Sequence, residues 1–93
     1  MIRSWRDKDA QLLFERQRSK RLPSNIQRSG LRKLKMLNAA VQIVDLRVPP
    51  GNRLEQLKGD RAGQWSIAIN DQWRICFRWE NGDAFDVEIV DYH

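Results

Sequence analysis

Two neighbouring stretches of this chain, residues 65–69 and 73–79, place a large apolar side chain at every second position. Successive side chains of a β-strand point to opposite faces, so this period indicates two strands, each with one buried face. The residues between them, Asn70, Asp71 and Gln72, predict a loop that closes an antiparallel hairpin. The predicted apolar pairs of that hairpin are Ile69 with Trp73, Ile67 with Ile75 and Trp65 with Phe77.

The loop before the third strand decides how that strand pairs with the second. Asn81-Gly82 is typical of a two-residue loop, but such a loop would set Phe77 opposite Asp86 and would mix the two faces. A three-residue loop, Asn81 to Asp83, instead keeps one face wholly apolar. The sequence therefore predicts three pairs across this hairpin, Trp79 with Phe85, Phe77 with Val87 and Ile75 with Ile89.

The opposite face of the predicted sheet carries the side chains that could bind a ligand. Arg78 faces Asp86 there, as an expected ion pair across the strands. Arg74 is the cation nearest the end of the sheet where Tyr92 and His93 emerge. The predicted members of this face are Ser66, Ala68, Arg74, Cys76, Arg78, Asp86, Glu88 and Val90.

The first half of the chain predicts an extended segment and two helices. Residues 1–5 can form a short first strand, and Asp7 or Asp9 can begin a helix with its carboxylate near the positive end of the helix dipole. Its expected buried stripe is Ala10, Leu13 and Phe14, and cations crowd its expected C-terminal end, where the dipole favours them. Those cations are Arg16, Arg18, Lys20 and Arg21.

The second helix follows Pro23. Ser24 and Gln27 have the spacing of a capping box, which predicts a start at Asn25. The apolar stripe Leu34, Leu37, Val41 and Val44 should lie on the apolar face of the sheet. Gly30 at the front of that stripe is expected to mark a close contact between helices. The predicted fold class is α+β, with a short N-terminal strand and two helices packed on one face of a curled antiparallel sheet of three to four strands.

Composition limits the size of the protein and suggests its partner. Ninety-three residues, of which 41% are hydrophobic, are expected to form one domain, residues 1–93, with one core. A net charge of +5 and a pI near 10.0 favour an acidic partner, which could be nucleic acid, an acidic protein or a membrane surface. The single cysteine excludes an internal disulfide, and no apolar run is long enough for a signal core or a membrane span. The expected compartment is the cytoplasm.

The charge is divided unevenly along the chain. Residues 1–53 carry a net charge of +9, whereas residues 54–93 carry −4. The few cations of the acidic second half are therefore candidates for a functional role, and they are Lys58, Arg61, Arg74 and Arg78.

The residue types permit cleavage of RNA without a metal. The 2′-hydroxyl of RNA supplies the nucleophile, so the protein need only move two protons and stabilise charge on the phosphate. Lys58, Arg61 and Arg74 could stabilise that charge, and His93 has an ordinary pKa near 6.5. Tyr92 and Glu55 are the other acid or base candidates. One histidine and one cysteine cannot build a zinc site unaided, so no metal or cofactor is expected. From these residues alone, plain RNA binding and protein binding remain open alternatives.

The sequence resembles the HigB toxins of bacterial toxin–antitoxin pairs, within the RelE superfamily. The resemblance spans essentially the whole chain, and its most specific parts are a turn, a strand and the C-terminal end. These read Lys58-Gly59-Asp60-Arg61, Trp73-Arg74-Ile75 and Asp91-Tyr92-His93. Such a resemblance implies a ribosome-dependent mRNA endoribonuclease that cuts codons in the ribosomal A site. It also implies a HigA-like helix-turn-helix antitoxin, with operator DNA bound only through the antitoxin complex and no membrane partner.

The resemblance also assigns expected roles to residues. Lys58 and Arg74 match positions that neutralise the scissile phosphate, and Asp91, Tyr92 and His93 match the terminal catalytic group. Arg61 and Asn70 match nearby RNA-binding positions. This chain has Glu55 where some members have a histidine, so a carboxylate would replace an imidazole among the acid and base groups.

The resemblance gives the basic second helix a candidate role as well. A toxin wedged into the A site would contact ribosomal RNA on several sides, and Arg32 and Lys33 on the outer side of the helix could bind phosphates there. The alternative is that these cations simply form a solvated face. For the whole protein, the alternative to an active toxin is a weakly active or inactive relative that acts mainly as a regulatory module in the antitoxin–DNA complex.

Overall fold

The computed structural model of the protein describes residues 1–92. Two α-helices, α1 (Lys8–Phe14) and α2 (Ser24–Ala39), precede four β-strands in this part of the chain. The strands are β1 (Glu55–Gln56), β2 (Gln64–Ala68), β3 (Trp73–Glu80) and β4 (Asp83–Asp91), which form an antiparallel sheet in the order β1-β2-β3-β4. Short 3₁₀ turns cover Ile43–Arg47, Pro50–Asn52 and Gly59–Arg61. The predicted α+β class is confirmed.

The hairpin of β2 and β3 has the register that the alternation predicts. Trp65 pairs with Phe77, and Ile67 pairs with Ile75. The Ile69 amide donates to the Trp73 carbonyl across 2.8 Å. The apolar side chains of these strands consequently share one face and join the helices in the core.

The loop predicted for the second hairpin is wrong. Glu80 pairs with Asp83, so the loop consists of Asn81 and Gly82. Their φ angles of 51° and 83° lie in the left-handed region, as a two-residue hairpin loop of the Asn-Gly kind requires. Trp79 therefore pairs with Ala84 instead of with Phe85.

A β-bulge corrects the mixing of faces that such a loop would cause. Between the pair Arg78–Phe85 and the pair Cys76–Glu88, β3 has one residue and β4 has two. The extra residue shifts the alternation of β4 by one position, because side chains of a strand change face at every residue. Asp86 adopts the unusual φ of 53° at this point. The bulge restores the predicted pair of Ile75 with Ile89.

The N-terminal segment runs alongside β4 without forming a continuous strand. It makes two isolated parallel bridges, Ile2 with Ala84 and Trp5 with Val87. Helix α1 then begins after Asp7, whose carboxylate accepts the Asp9 amide at 2.9 Å. The predicted start of the helix is confirmed.

Helix α1 ends at Phe14, earlier than its basic sequence suggested, so the cations after it do not interact with its last turn. Arg21 instead returns to the start of the helix and forms ion pairs with Asp7 at 2.5 Å and Asp9 at 3.0 Å. The same guanidinium donates to the Ile89 carbonyl of β4. A hydrogen bond from Ser19, helped by Arg21, lowers the pKa of Asp9. Arg21 thus joins the first helix to the sheet.

Helix α2 begins at Ser24, and the predicted capping box is absent. The Gln27 side chain donates to the Leu22 carbonyl at 2.9 Å, and no side chain caps the helix. The helix ends at Ala39, so the expected stripe is wrong at its far end, where Val41 and Val44 are exposed. The residues of α2 that are buried are Ile26, Gly30, Lys33, Leu34 and Leu37.

The close helix contact expected at Gly30 is confirmed. A Cβ at this position would lie 2.9 Å from the Leu13 Cδ2 atom of α1. A separation below 3.0 Å is shorter than side chains tolerate, so the absence of a side chain lets the two helices approach. No helix within residues 1–92 is both long enough and apolar enough to span a membrane.

Lys33 lies inside the protein, which contradicts its predicted place on the outer face of α2. The side chain is 4% exposed, and its ammonium donates to the Oδ1 atom of buried Asn52. Burial, with a smaller contribution from the charge of Arg32, lowers the pKa of Lys33. Position 33 faces the core because it lies one turn before Leu37 on the buried stripe. Arg32, in contrast, is exposed as predicted.

Candidate active site

Arg74 is the central residue of the polar face of the sheet. It lies on β3, and its side chain is nearly buried. Its Nε atom donates to the Ser66 Oγ atom at 2.9 Å, and its Nη2 atom donates to the Arg53 carbonyl at 2.8 Å. The guanidinium is thus held from two sides, and each of these partners is an uncharged oxygen.

Glu55 lies beside this guanidinium on the short edge strand β1. Its partner in the register is Ser66, which puts the two side chains on the same face as Arg74. The Glu55 Oε2 atom lies 3.9 Å from the Arg74 Nη2 atom, and the carboxylate is mostly exposed. Because this ion pair is long and solvated, Glu55 neutralises Arg74 only weakly.

Tyr92 follows the last strand and reaches the same face. Its amide donates to the Gln72 carbonyl at 2.5 Å, and its ring centroid lies 5.9 Å from the Arg74 Cζ atom. Burial and the neighbouring Cys76 raise the pKa of the Tyr92 phenol. The phenol therefore stays protonated at neutral pH and is suited to donate a hydrogen bond or a proton.

Asp91 lies at the end of β4, opposite Trp73. Its Oδ2 atom accepts a hydrogen bond from the Gln72 side chain at 3.2 Å. Gln72 therefore contacts both Asp91 and Tyr92. His93 lies outside the described residues.

Arg61 approaches the polar face from the turn after β1. Its guanidinium donates to Gln64 at 3.1 Å and to Glu88 at 3.4 Å. Burial is the largest single influence and opposes its charge, but the hydrogen bond to Glu88 and the charges of Glu88, Cys76 and Tyr92 together raise the pKa of Arg61. The positive charge of Arg61 also acts to lower the pKa of Tyr92, against the larger effect of burial, so Arg61 lies near the candidate active site.

Lys58 is exposed at the start of the same turn. Within residues 1–92 its ammonium makes neither an ion pair nor a hydrogen bond. A flexible cation in this state can move to meet an incoming phosphate.

Two other predicted RNA-binding residues differ in their position: Asn70 lies in the hairpin loop beside this group, whereas Arg32 lies away from it. Asn70 uses its side-chain oxygen to accept the amides of Gln72 and Trp73, at 2.9 and 2.8 Å, so it shapes the hairpin loop. Arg32 is exposed on α2, and the helices cover the apolar face of the sheet. Arg32 consequently lies on the other side of the sheet from Arg74.

The sequence did not point to three groups that support the site. The Ser66 hydroxyl and the Arg53 carbonyl hold Arg74, and Glu88 holds Arg61. The alternation had placed Ser66 and Glu88 on the correct face, and this was the available signal for both. No sequence pattern indicated that the Arg53 backbone would turn towards the site.

Taken together, these side chains can bind and polarise an anion. The guanidiniums of Arg74 and Arg61 lie near a protonated phenol and a solvated carboxylate. Such a set can neutralise a phosphate and exchange protons with it. Within residues 1–92, no three histidine, cysteine or acidic side chains are grouped as metal ligands.

Comparison with known proteins now identifies the family. The sequence model of the RelE-like toxin of the type II toxin-antitoxin system HigB matches residues 3–93. The chain belongs to the HigB toxin family. As a type II toxin, a HigB protein has an antitoxin partner.

Two curated HigB proteins resemble the chain along nearly their whole length. Toxin HigB-1 of Vibrio cholerae is 41% identical over 87 residues, which are 92% of each chain. Endoribonuclease HigB of Proteus vulgaris is 39% identical over 98 aligned positions that cover 100% of both chains. The second of these relatives supports endoribonuclease activity in the HigB family.

Solved structures confirm the RelE-like fold of this HigB protein. YafQ from Escherichia coli superposes with a TM-score of 0.58 at 15% identity, covering 98% of this chain and 91% of its own. The YoeB dimer from Staphylococcus aureus gives a TM-score of 0.56 at 18% identity, with 99% and 94% covered. At these identities the likeness concerns the fold alone.

Proposed function

We propose that this HigB-like protein is a ribosome-dependent mRNA endoribonuclease that cuts codons in the ribosomal A site. The 2′-hydroxyl of the substrate attacks the adjacent phosphate, and the protein uses no metal. The observation that carries this proposal is the state of Arg74, which is nearly buried, held by two uncharged oxygens and adjacent to the Tyr92 ring. A guanidinium held in this way is suited to bind a phosphate whose negative charge increases during reaction.

The roles of the other residues follow from their chemistry. Arg61 and Lys58 add positive charge around the phosphate, and Lys58 is free to move towards it. Tyr92 donates a hydrogen bond or a proton, since burial and neighbouring Cys76 raise the pKa of its phenol. His93, two positions after Asp91 in the sequence, would supply an imidazole whose ordinary pKa of about 6.5 suits proton transfer near neutrality.

Cutting of mRNA in the A site would stop translation and arrest growth in the cytoplasm. A HigA-like helix-turn-helix antitoxin would neutralise the toxin, and the pair would bind operator DNA through the antitoxin and repress its own operon. Exposed Arg32 on α2 would contact ribosomal RNA phosphates from the other side of the molecule. Asn70 would support the RNA site through the hairpin loop that it shapes.

Expression in a bacterium without the antitoxin, combined with cleavage of mRNA on purified programmed ribosomes, tests the proposal. Growth should stop, and the message should be cut at the A-site codon on ribosomes but not when free in solution. A protein that binds its antitoxin and operator normally, yet neither arrests growth nor cuts the message, would instead be a regulatory module.

Glu55→Gln tests whether the carboxylate takes part in proton transfer. The amide keeps the size of the side chain but cannot accept a proton, so the single-turnover cleavage rate should fall about 10²-fold. The matched control is Glu80→Gln, since Glu80 is also exposed but forms its ion pair with Arg78 at the far end of β3. Equal rates for Glu55→Gln and the parent protein would remove Glu55 from the mechanism.

A further inference from the structure

Ser66 is a fully buried polar residue on the same face of the sheet as Arg74. It lies in β2 with 0% of its surface exposed, between Glu55 on one neighbouring strand and Cys76 on the other. Its Oγ atom accepts the Nε–H of Arg74 at 2.9 Å. Buried hydroxyl groups in folded proteins are as a rule hydrogen-bonded, because burying one without a partner costs free energy that nothing compensates.

The second anchor of Arg74 is a strained piece of backbone. Arg53 has φ 45° and ψ 54°, in the left-handed region that residues other than glycine adopt rarely. This conformation accompanies a carbonyl that accepts the Nη2 atom of Arg74 at 2.8 Å. Strained backbone conformations of this kind are concentrated at functional sites.

The two anchors together fix the plane of the Arg74 guanidinium. Ser66 takes the Nε donor and Arg53 takes one Nη2 donor, whereas Nη1 has no hydrogen-bond partner within residues 1–92. A guanidinium is planar and rigid, so two bonds at one edge also set the direction of the remaining donors. Those donors are left for a ligand.

We propose that Ser66 is a positioning residue that orients Arg74 for the substrate phosphate. This inference rests on the cleavage reaction proposed above. Ser66 itself touches no reacting atom. Its hydroxyl, with the Arg53 carbonyl, keeps the guanidinium in the direction in which its free donors meet the phosphate, and no reorientation is then needed during the reaction.

Ser66→Ala should lower the single-turnover cleavage rate on saturating programmed ribosomes about ten-fold while changing the affinity for ribosomes less than about two-fold. In an Arg74→Ala background, the same substitution should change the rate less than about two-fold, because Ser66 acts only through Arg74. Ser66→Thr retains the hydroxyl and should cut faster than Ser66→Ala.

Ser19→Ala is the matched control. Ser19 is also a buried serine, and its hydroxyl donates to Asp9 at 2.8 Å beside α1. Loss of this bond should lower the melting temperature in the manner of Ser66→Ala but leave the cleavage rate of the folded protein unchanged. An equal loss of rate from Ser66→Ala in the parent and Arg74→Ala backgrounds, or no loss in the parent, would overturn the positioning role.

Exchange of the Arg74 Nε–H with solvent, followed by NMR, tests the same inference without cleavage. The exchange rate should rise at least about ten-fold in Ser66→Ala, because the donor has lost its buried acceptor. An unchanged rate would contradict the inference even if the protein cuts RNA. If the parent protein cuts no message but exchange is faster in Ser66→Ala than in the parent, the proposed function is refuted, and Ser66 is still shown to hold the guanidinium.

Discussion

Replacing Arg74 with alanine should lower the single-turnover cleavage rate on programmed ribosomes by about 10² to 10³-fold, the range found when one preorganised donor to a developing negative charge is removed. The guanidinium is nearly buried and already oriented by Ser66 and Arg53, so the conformational entropy of the side chain is lost on folding and not when substrate binds. Ribosome affinity should change much less, because the largest contribution of Arg74 arises as phosphate charge increases in the transition state.

Arg78→Ala is the control for this experiment, because Arg78 lies on the same strand and also carries a guanidinium. Its charge is already paired with Asp86 at 2.7 Å and with Glu80 at 2.8 Å, and the side chain is partly exposed. Its removal should change the cleavage rate less than about two-fold, as for most surface substitutions outside a site. Similar losses for Arg74→Ala and Arg78→Ala would show that general positive charge, and not a placed guanidinium, supports cleavage.

Replacing Asn52 with alanine should lower the free energy of unfolding by about 3 kcal/mol, because it removes the hydrogen-bond acceptor of a buried ammonium. Asn52 is fully buried. Its Oδ1 atom accepts from Lys33, and its Nδ2 atom donates to the carbonyls of Leu46 at 3.1 Å and Val48 at 3.4 Å. The alanine would leave all three groups without this partner.

Urea unfolding would measure the loss, with Asn38→Ala as the control. Asn38 accepts a single hydrogen bond, from the Ile2 amide, so its removal should cost only about 1 kcal/mol. Burial lowers the pKa of Lys33 below its ordinary 10.5. Between the lowered pKa and 10.5, the unfolded chain binds more protons than the folded protein. The contribution of Lys33 to the free energy of unfolding therefore rises as the pH rises through this window. The effect of Asn52→Ala should therefore shrink at alkaline pH. Equal losses for the two variants would contradict the role assigned to Asn52.

The second hairpin shows what side-chain alternation can and cannot predict. Alternation requires apolar residues to share a face, and it correctly paired Ile75 with Ile89. It does not say how the chain achieves this. A three-residue loop and a two-residue loop with a bulge both satisfy the requirement, and the local preference of Asn81-Gly82 for positive φ favours the second solution.

The helical half was harder to predict because its apolar spacing continues beyond the helix. Val41 and Val44 follow the stripe of α2 in sequence, but the chain leaves the helix after Ala39 and exposes both. Burial of Lys33 depends on Asn52, which lies 19 residues further along the chain. No local pattern contains a partner at that distance, so a lysine on a helix is read as a surface residue.

In the candidate active site, too, local sequence patterns predicted some features and missed those that depend on residues distant in the chain. Alternation put Arg74 on the polar face, and the antiparallel order brought the end of β4 beside it, which placed Tyr92 near the guanidinium. The choice of RNA cleavage over simple binding came from the resemblance to HigB toxins. The anchors of Arg74 could be identified only in three dimensions, because one of them is a backbone carbonyl set by the left-handed conformation of Arg53.

Attack by the 2′-hydroxyl can be tested with a message that carries a single 2′-deoxynucleotide immediately before the scissile phosphate of the A-site codon. The programmed ribosome and the toxin stay unchanged, and only the proposed nucleophile is absent. If the 2′-hydroxyl is the nucleophile, the all-RNA message is cut and yields a 2′,3′-cyclic phosphate or the 3′-phosphate formed from it, whereas the substituted codon remains intact. Cutting of the substituted message at the same phosphate would contradict attack by the 2′-hydroxyl.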